Sequence, residues 1–145
     1  MYRSREHSGF TLIEVLVVMV ILGILAAVIV PKIMDRPEQA RIVAAKSDVR
    51  AIVSALNMYR LDNGVYPSTE QGLAALVRKP DTGNIPDNWR PGGYLDRVPK
   101  DPWGRPYQYL NPGLHGEIDV FSYGPNGPSA DGGGSSQEIG NWNLN

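Results

Sequence analysis

One carboxylate, Glu14, lies inside an apolar run, and its chemistry is the hardest in this 145-residue chain to dismiss as surface polarity. From Phe10 to Val30 the sequence reads FTLIEVLVVMVILGILAAVIV, broken only by Thr11, Glu14 and Gly23. An acid at the centre of a membrane span costs about 3 kcal/mol on insertion scales, and less near an end where it reaches the interface. Glu14 is therefore either an interface-reaching acid or one half of a charge pair made inside an assembly. The remaining reactive groups are few. With no cysteine, disulfides, thiolate metal sites and cysteine nucleophiles are excluded. His7 and His115 lie far apart in sequence, so a Ser-His-Asp arrangement would rest on His115 alone, in a Pro/Gly turn. Gly132–Gly134 is not followed by the Lys-Ser/Thr helix start of a phosphate loop. The net charge of −1 gives no basic field for a phosphate backbone, so no nucleic-acid partner is expected.

The elements that must position Glu14 follow from periodicity. As a helix, the 21 residues from Phe10 to Val30 are about 31 Å long, roughly one bilayer core. Arg3 and Arg5 before the run favour a cytoplasmic N-terminus, a cue weakened by Lys32 and Arg36 beyond it. An uncleaved signal anchor satisfies hydropathy equally well. Pro31 and Pro37 lack a backbone donor and are expected to kink or loosen the helix. Beyond them Ile42, Ala45, Val49, Ile52, Leu56 and Tyr59 recur at helical spacing, with charged residues largely between. Asp62-Asn63-Gly64 is a stop signal. One helix from about Phe10 to Leu61 is expected, its first half apolar and its second half packed on the chain's own domain.

The remainder, with most of the 16 glycines and 12 prolines, reads as a small loop-rich domain. Ser68-Thr69-Glu70-Gln71 has capping-box spacing and predicts a short helix through about Val77. A loop follows from Pro80 to Pro91. Strands are expected over Tyr107–Leu110 and Ile118–Tyr123, joined by a turn at Asn111–Gly116. Trp103 and Trp142, beside Gly and Pro, are expected to pack as loop anchors. The stretch GPNGPSADGGG from Gly124 is long and costly in entropy to order without a disulfide. The fold class is α+β: a few antiparallel strands lying on a long helix.

Gly9-Phe10-Thr11-Leu12-Ile13-Glu14, with basic residues before and an apolar run after, resembles the processing motif of type IV pilins and pseudopilins. The strings LDNGVYPSTEQGL, GGYL, DPWGRPYQYL and FSYGPNG…EIGNW further resemble the major pseudopilins of type II secretion. The resemblance implies cleavage between Gly9 and Phe10 by a prepilin peptidase and N-methylation of Phe10. It pairs Glu14 with the α-amino group of Phe10 on a neighbouring copy. It divides the chain into a leader (1–9), a transmembrane and filament-core helix (10–30), an amphipathic half-helix (31–63) and a periplasmic globular domain (64–145). It also implies a calcium ion in the C-terminal loop. Here the candidate ligands are Asp131 and Glu138, with Asn126 and the Tyr123 carbonyl as neutral donors. Asn126 stands where relatives often carry Asp, a departure that implies weaker binding.

The function so implied is structural: copies leave the inner membrane, stack into a periplasmic filament and drive folded proteins across the outer membrane. Its partners would be other copies, minor pseudopilins, the inner-membrane assembly platform and, before assembly, lipid. A pilus subunit for adhesion, motility or DNA uptake is the alternative, disfavoured by the lack of Cys and by DPWG and EQGL. A membrane-anchored periplasmic enzyme or binding module would need a constellation or pocket in 65–145, and the sequence there offers no nucleophile–base pair.

Overall fold

The computed structural model describes residues 8–130 and 137–145, without the side chains of 29–36. Helix α1 runs from Leu12 to Asn63. The chain divides into two compact units, Met1–Gln39 and Ala40–Asn145, and α1 contributes to both. The loosening expected at Pro31 and Pro37 does not interrupt the helix. Each proline removes one backbone donor, but its φ is that of a helix.

In the first unit, the large apolar side chains of Phe10 to Val28 are exposed by 47 to 84%. A helix apolar all round has no polar face to give to water. In the second unit the helical stripe is realised as written. Ala45, Val49, Ile52, Leu56 and Tyr59 are at most 1% exposed, and Ile42 at the start of the stripe is half-buried. From Val49 on they share one core with Leu73, Leu76, Tyr107, Tyr109, Ile118 and Val120. Full burial of such a side chain contributes about 1.5–3 kcal/mol. The helix ends at the stop signal. Gly64 has φ +80°, and its N–H donates to the Arg60 carbonyl at 2.7 Å, the left-handed cap that a glycine permits.

The capping box at Ser68 forms in both directions. The Gln71 N–H donates to Ser68 Oγ at 3.1 Å and the Ser68 N–H to Gln71 Oε1 at 3.0 Å. The helix expected through Val77 does not follow. Gly72 takes φ +62°, which breaks the turn, and only a 3-10 turn over Leu73–Leu76 remains. Gln71 instead donates to the carbonyls of Thr82 (2.8 Å) and Asn84 (3.0 Å), pinning the loop that begins at Pro80.

The sheet is antiparallel, in the order β1 (Gln108–Leu110), β2 (Asp119–Ser122), β3 (Ile139–Gly140). Tyr109 faces Val120 and Phe121 faces Gly140 across the ladders. The two expected strands are present but shorter, and β3 is an addition. At two residues it has no alternation to read. All four residues of β2 are buried. Tyrosine hydroxyls tie the layers together: Tyr107 donates to Asp48 on α1 at 2.7 Å and Tyr109 to the Pro67 carbonyl at 2.7 Å. The Arg50 guanidinium on α1 donates to the Leu144 carbonyl at 2.9 Å, holding the C-terminal residues down.

Candidate functional site

Gly9 is exposed and a Cβ there would meet nothing within 4 Å. Phe10 is 84% exposed. Thr11 caps the helix: the Glu14 N–H donates to Thr11 Oγ1 at 3.3 Å and the Val15 N–H to the Thr11 carbonyl at 3.3 Å. Thr11-x-x-Glu14 is thus the first half of a capping box, a local signal written in the same few residues as the Gly9–Glu14 string. It places Glu14 in the first turn, where the helix dipole favours a negative charge. Phe10, Glu14, Val18 and Leu22, four apart in sequence, line one shallow groove with Val15 and Met19. The carboxylate therefore sits at the end of an apolar stripe on an exposed helix. No helix among the described residues is long and apolar enough to cross a membrane, the described side chains of this run ending at Val28.

The C-terminal loop was the expected metal site. Tyr123 is half-buried, its ring edge-on to Phe121 at 5.4 Å. Asn126 is exposed and its Nδ2 donates to Gln137 Oε1 at 2.9 Å, joining the two described flanks of the loop. Glu138 is half-buried at the foot of β3, and Asp131 lies outside the described residues. The Gly124 carbonyl, an oxygen of the sort a hard cation takes, accepts a hydrogen bond from Arg105 Nη1 at 2.9 Å. Among the described residues no group of three His, Cys, Asp or Glu stands together to hold a metal ion. Of the expected ligands Glu138 is the one carboxylate among the described residues, with neutral amide and carbonyl oxygens beside it, fewer charges than a tight calcium site uses.

His115 has a carboxylate partner that sequence spacing left unassigned. Asp119 Oδ2 lies 2.9 Å from His115 Nδ1, and the same carboxylate accepts the N–H groups of Leu114 (2.8 Å) and His115 (3.2 Å). Asp119 is 1% exposed, so its oxygens are spent on fixing the turn before β2. The imidazole stacks on Trp142, with centroids 3.7 Å apart and planes within 9°. Trp142 thus covers the turn, as the loop-anchor expectation has it. The neighbouring Asn141 completes the Ile-Gly-Asn-Trp string, its Oδ1 accepting the Val120 N–H at 3.1 Å and its Nδ2 donating to the Ile118 carbonyl at 3.0 Å. These strings are therefore structural joints between loops and β2.

The family model described as type II secretion system protein G matches residues 32–142, and the prokaryotic N-terminal methylation motif matches residues 4–30. The type II secretion system core protein G of Pseudomonas aeruginosa is 55% identical over 140 residues, covering 97% of this chain and 98% of the relative. The protein of the same name from Vibrio cholerae is 54% identical over 144 residues, covering 99% and 97%. The crystal structure of the major pseudopilin from the type 2 secretion system of enterohaemorrhagic Escherichia coli aligns with a TM-score of 0.67 at 49% identity, over 75% of this chain and 92% of that one. These matches favour secretion over the pilus-subunit alternative. A long helix with a capped, acid-bearing apolar start, a three-stranded antiparallel sheet packed on its second half, and these relatives together place the chain in the protein G family of type II secretion systems, the major pseudopilins.

Proposed function

We propose that a prepilin peptidase cuts this chain between Gly9 and Phe10, that Phe10 is N-methylated, and that the mature chain polymerises into a periplasmic pseudopilus whose growth drives folded proteins across the outer membrane. The observation that carries this reading is the helix start: an apolar cylinder exposed on all sides, with one carboxylate fixed in its first turn by Thr11. Such a surface is covered by lipid or by other copies of itself. In the inner membrane, with the N-terminus cytoplasmic and the globular domain periplasmic, lipid covers it. In the filament, neighbouring helices do.

Glu14 then acts as a registry device. A buried carboxylate and a buried ammonium each cost several kcal/mol alone and offset one another only when they meet. The α-amino group created at Phe10 supplies the positive partner when a neighbouring copy is in register. Repetition of that head-to-tail contact does not close, and it yields a filament rather than a ring. The role is structural rather than catalytic, with the His115–Asp119 pair organising a turn. Minor pseudopilins and the inner-membrane assembly platform are the partners that start and feed such a filament, and no nucleic acid is needed.

Two measurements test this together. Intact mass of the membrane-extracted protein should show a chain starting at methylated Phe10 only when the peptidase is present. Glu14→Ala should leave that processing intact yet reduce sedimentable filament and secreted protein at least tenfold. Normal filament yield from Glu14→Ala would sink the registry role, and an intact Met1 start in both strains would sink the processing.

A further inference from the structure

The C-terminal loop meets a permanent cation of the chain's own. Arg105 is half-buried, and its backbone is fixed by two bonds to Asp101: its N–H donates to Asp101 Oδ1 at 2.8 Å, and its carbonyl accepts the Asp101 N–H at 2.8 Å. From that root the guanidinium reaches the loop and donates to the Gly124 carbonyl at 2.9 Å. Gly127, at φ +70°, lies against the guanidinium so closely that a Cβ there would come 2.9 Å from Arg105 Cζ. The other side of Gly124 is held from the same place. Its N–H donates to Ser122 Oγ at 3.1 Å, and the Ser122 hydroxyl donates to Asp101 Oδ2 at 2.7 Å. Asp101 is 4% exposed and Ser122 is fully buried. Both polar groups of Gly124 are thus bound by side chains rooted at Asp101 and Arg105.

A calcium ion orders a loop by gathering oxygens around a fixed positive charge. A guanidinium is also a fixed positive charge, always protonated, with planar donors suited to carbonyl oxygens. We propose that the Arg105 guanidinium replaces a metal ion as the cation that orders the C-terminal loop, so that this pseudopilin folds and holds residues 123–130 without calcium. The described contacts agree with that reading: the Gly124 carbonyl is engaged by Arg105, and Asn126 Nδ2 donates to Gln137 Oε1, tying the two described flanks of the loop by a side-chain bond.

The test is hydrogen–deuterium exchange of peptides covering residues 123–130, in the detergent-solubilised full chain, with either EDTA or millimolar calcium chloride as the probe. The parent should exchange at the same rate in both. Arg105→Ala should exchange about tenfold faster or more, in both media, as expected for loss of a charge-assisted bond. Arg105→Lys, which keeps the charge but not the planar fork, should fall between them. If Arg105→Ala does not fold, Arg105→Gln serves in its place, since it keeps most of the stem but loses the charge and the planar fork and should speed exchange over the same peptides. Slower exchange of the parent in calcium than in EDTA would overturn the proposal. So would parent-like exchange in Arg105→Ala, or in Arg105→Gln where that variant stands in.

Discussion

Tyr107→Phe removes one oxygen atom from the joint between α1 and the sheet, and its cost follows from the geometry. The Tyr107 side chain is in the core at 5% exposure, and its hydroxyl donates to the Asp48 carboxylate at 2.7 Å. A hydrogen bond to a charged acceptor is worth about 1.5–3 kcal/mol. Asp48 is half-buried, so its carboxylate regains water when the phenol is lost, and the loss should sit near about 1.5–2 kcal/mol. For a folding unit of this size that lowers the melting temperature by roughly 6–8 °C. The same hydroxyl carries a pH signature. Burial first, then the bond to Asp48, holds Tyr107 well above the ordinary tyrosine value of 10.0. A group whose pKa is raised on folding contributes its full stability below the unfolded value and loses it as pH climbs toward the folded one. Stability should therefore be level to about pH 9 and fall above about pH 10, with Tyr107 contributing up to about 1.4 kcal/mol per pH unit. Tyr59, Tyr94 and Tyr109, also raised chiefly by burial, act in the same direction. Thermal melts followed by circular dichroism across neutral to alkaline pH should show Tyr107→Phe melting lower at neutral pH and declining less steeply in alkali. Asp48→Ala, which strands the phenol without its acceptor, should cost at least as much as Tyr107→Phe. A variant melting within about 2 °C of the parent at neutral pH with an unchanged alkaline slope would refute the reasoning.

Ile52→Ala empties a fully buried position between α1 and the sheet and should cost about 2–5 kcal/mol, read from the urea midpoint. Gly140→Ala drives a methyl group into the Trp142 ring, so it should cost about 1–3 kcal/mol and shift tryptophan fluorescence as the stack on His115 opens. Thr11→Ala removes the cap that receives the Glu14 N–H and should destabilise the first turn by about 1 kcal/mol. It should speed amide exchange at Ile13–Val15 and lower filament yield while leaving processing unchanged.

The parts legible in the sequence are those set by neighbours a few residues away. The stripe from Ala45 to Tyr59 repeats at the helical period, and Gly64 ends the helix because only a residue without a Cβ takes φ +80° easily. The Ser68–Gln71 box was legible for the same reason. Its continuation is ambiguous in the sequence, because Gly72 reads equally well as a helical residue or a break, and the structure takes the break. Strand β3 carried no signal, being two residues held by partners on β2. The bond from Arg105 to Gly124 and the reach of Tyr107 to Asp48 join positions distant in sequence, and no local pattern announces them. Glu14 stands out because it contradicts its apolar surroundings, whereas no local pattern around Arg105 marks it as the partner of Gly124.

The smallness of the sheet has a consequence for a protein that exists in many crowded copies. Its two edges, β1 and β3, are three and two residues long, and isolated Lys100 and Pro106 form the only bridge outside the named strands among the described residues. Proline lacks the donor that a new strand would need, and a run this short offers too few groups to template one. Globular domains brought side by side at high local concentration are thus denied strand exchange and amyloid-like stacking. Contacts between copies then fall to surfaces other than the sheet edges, such as the exposed apolar start of α1.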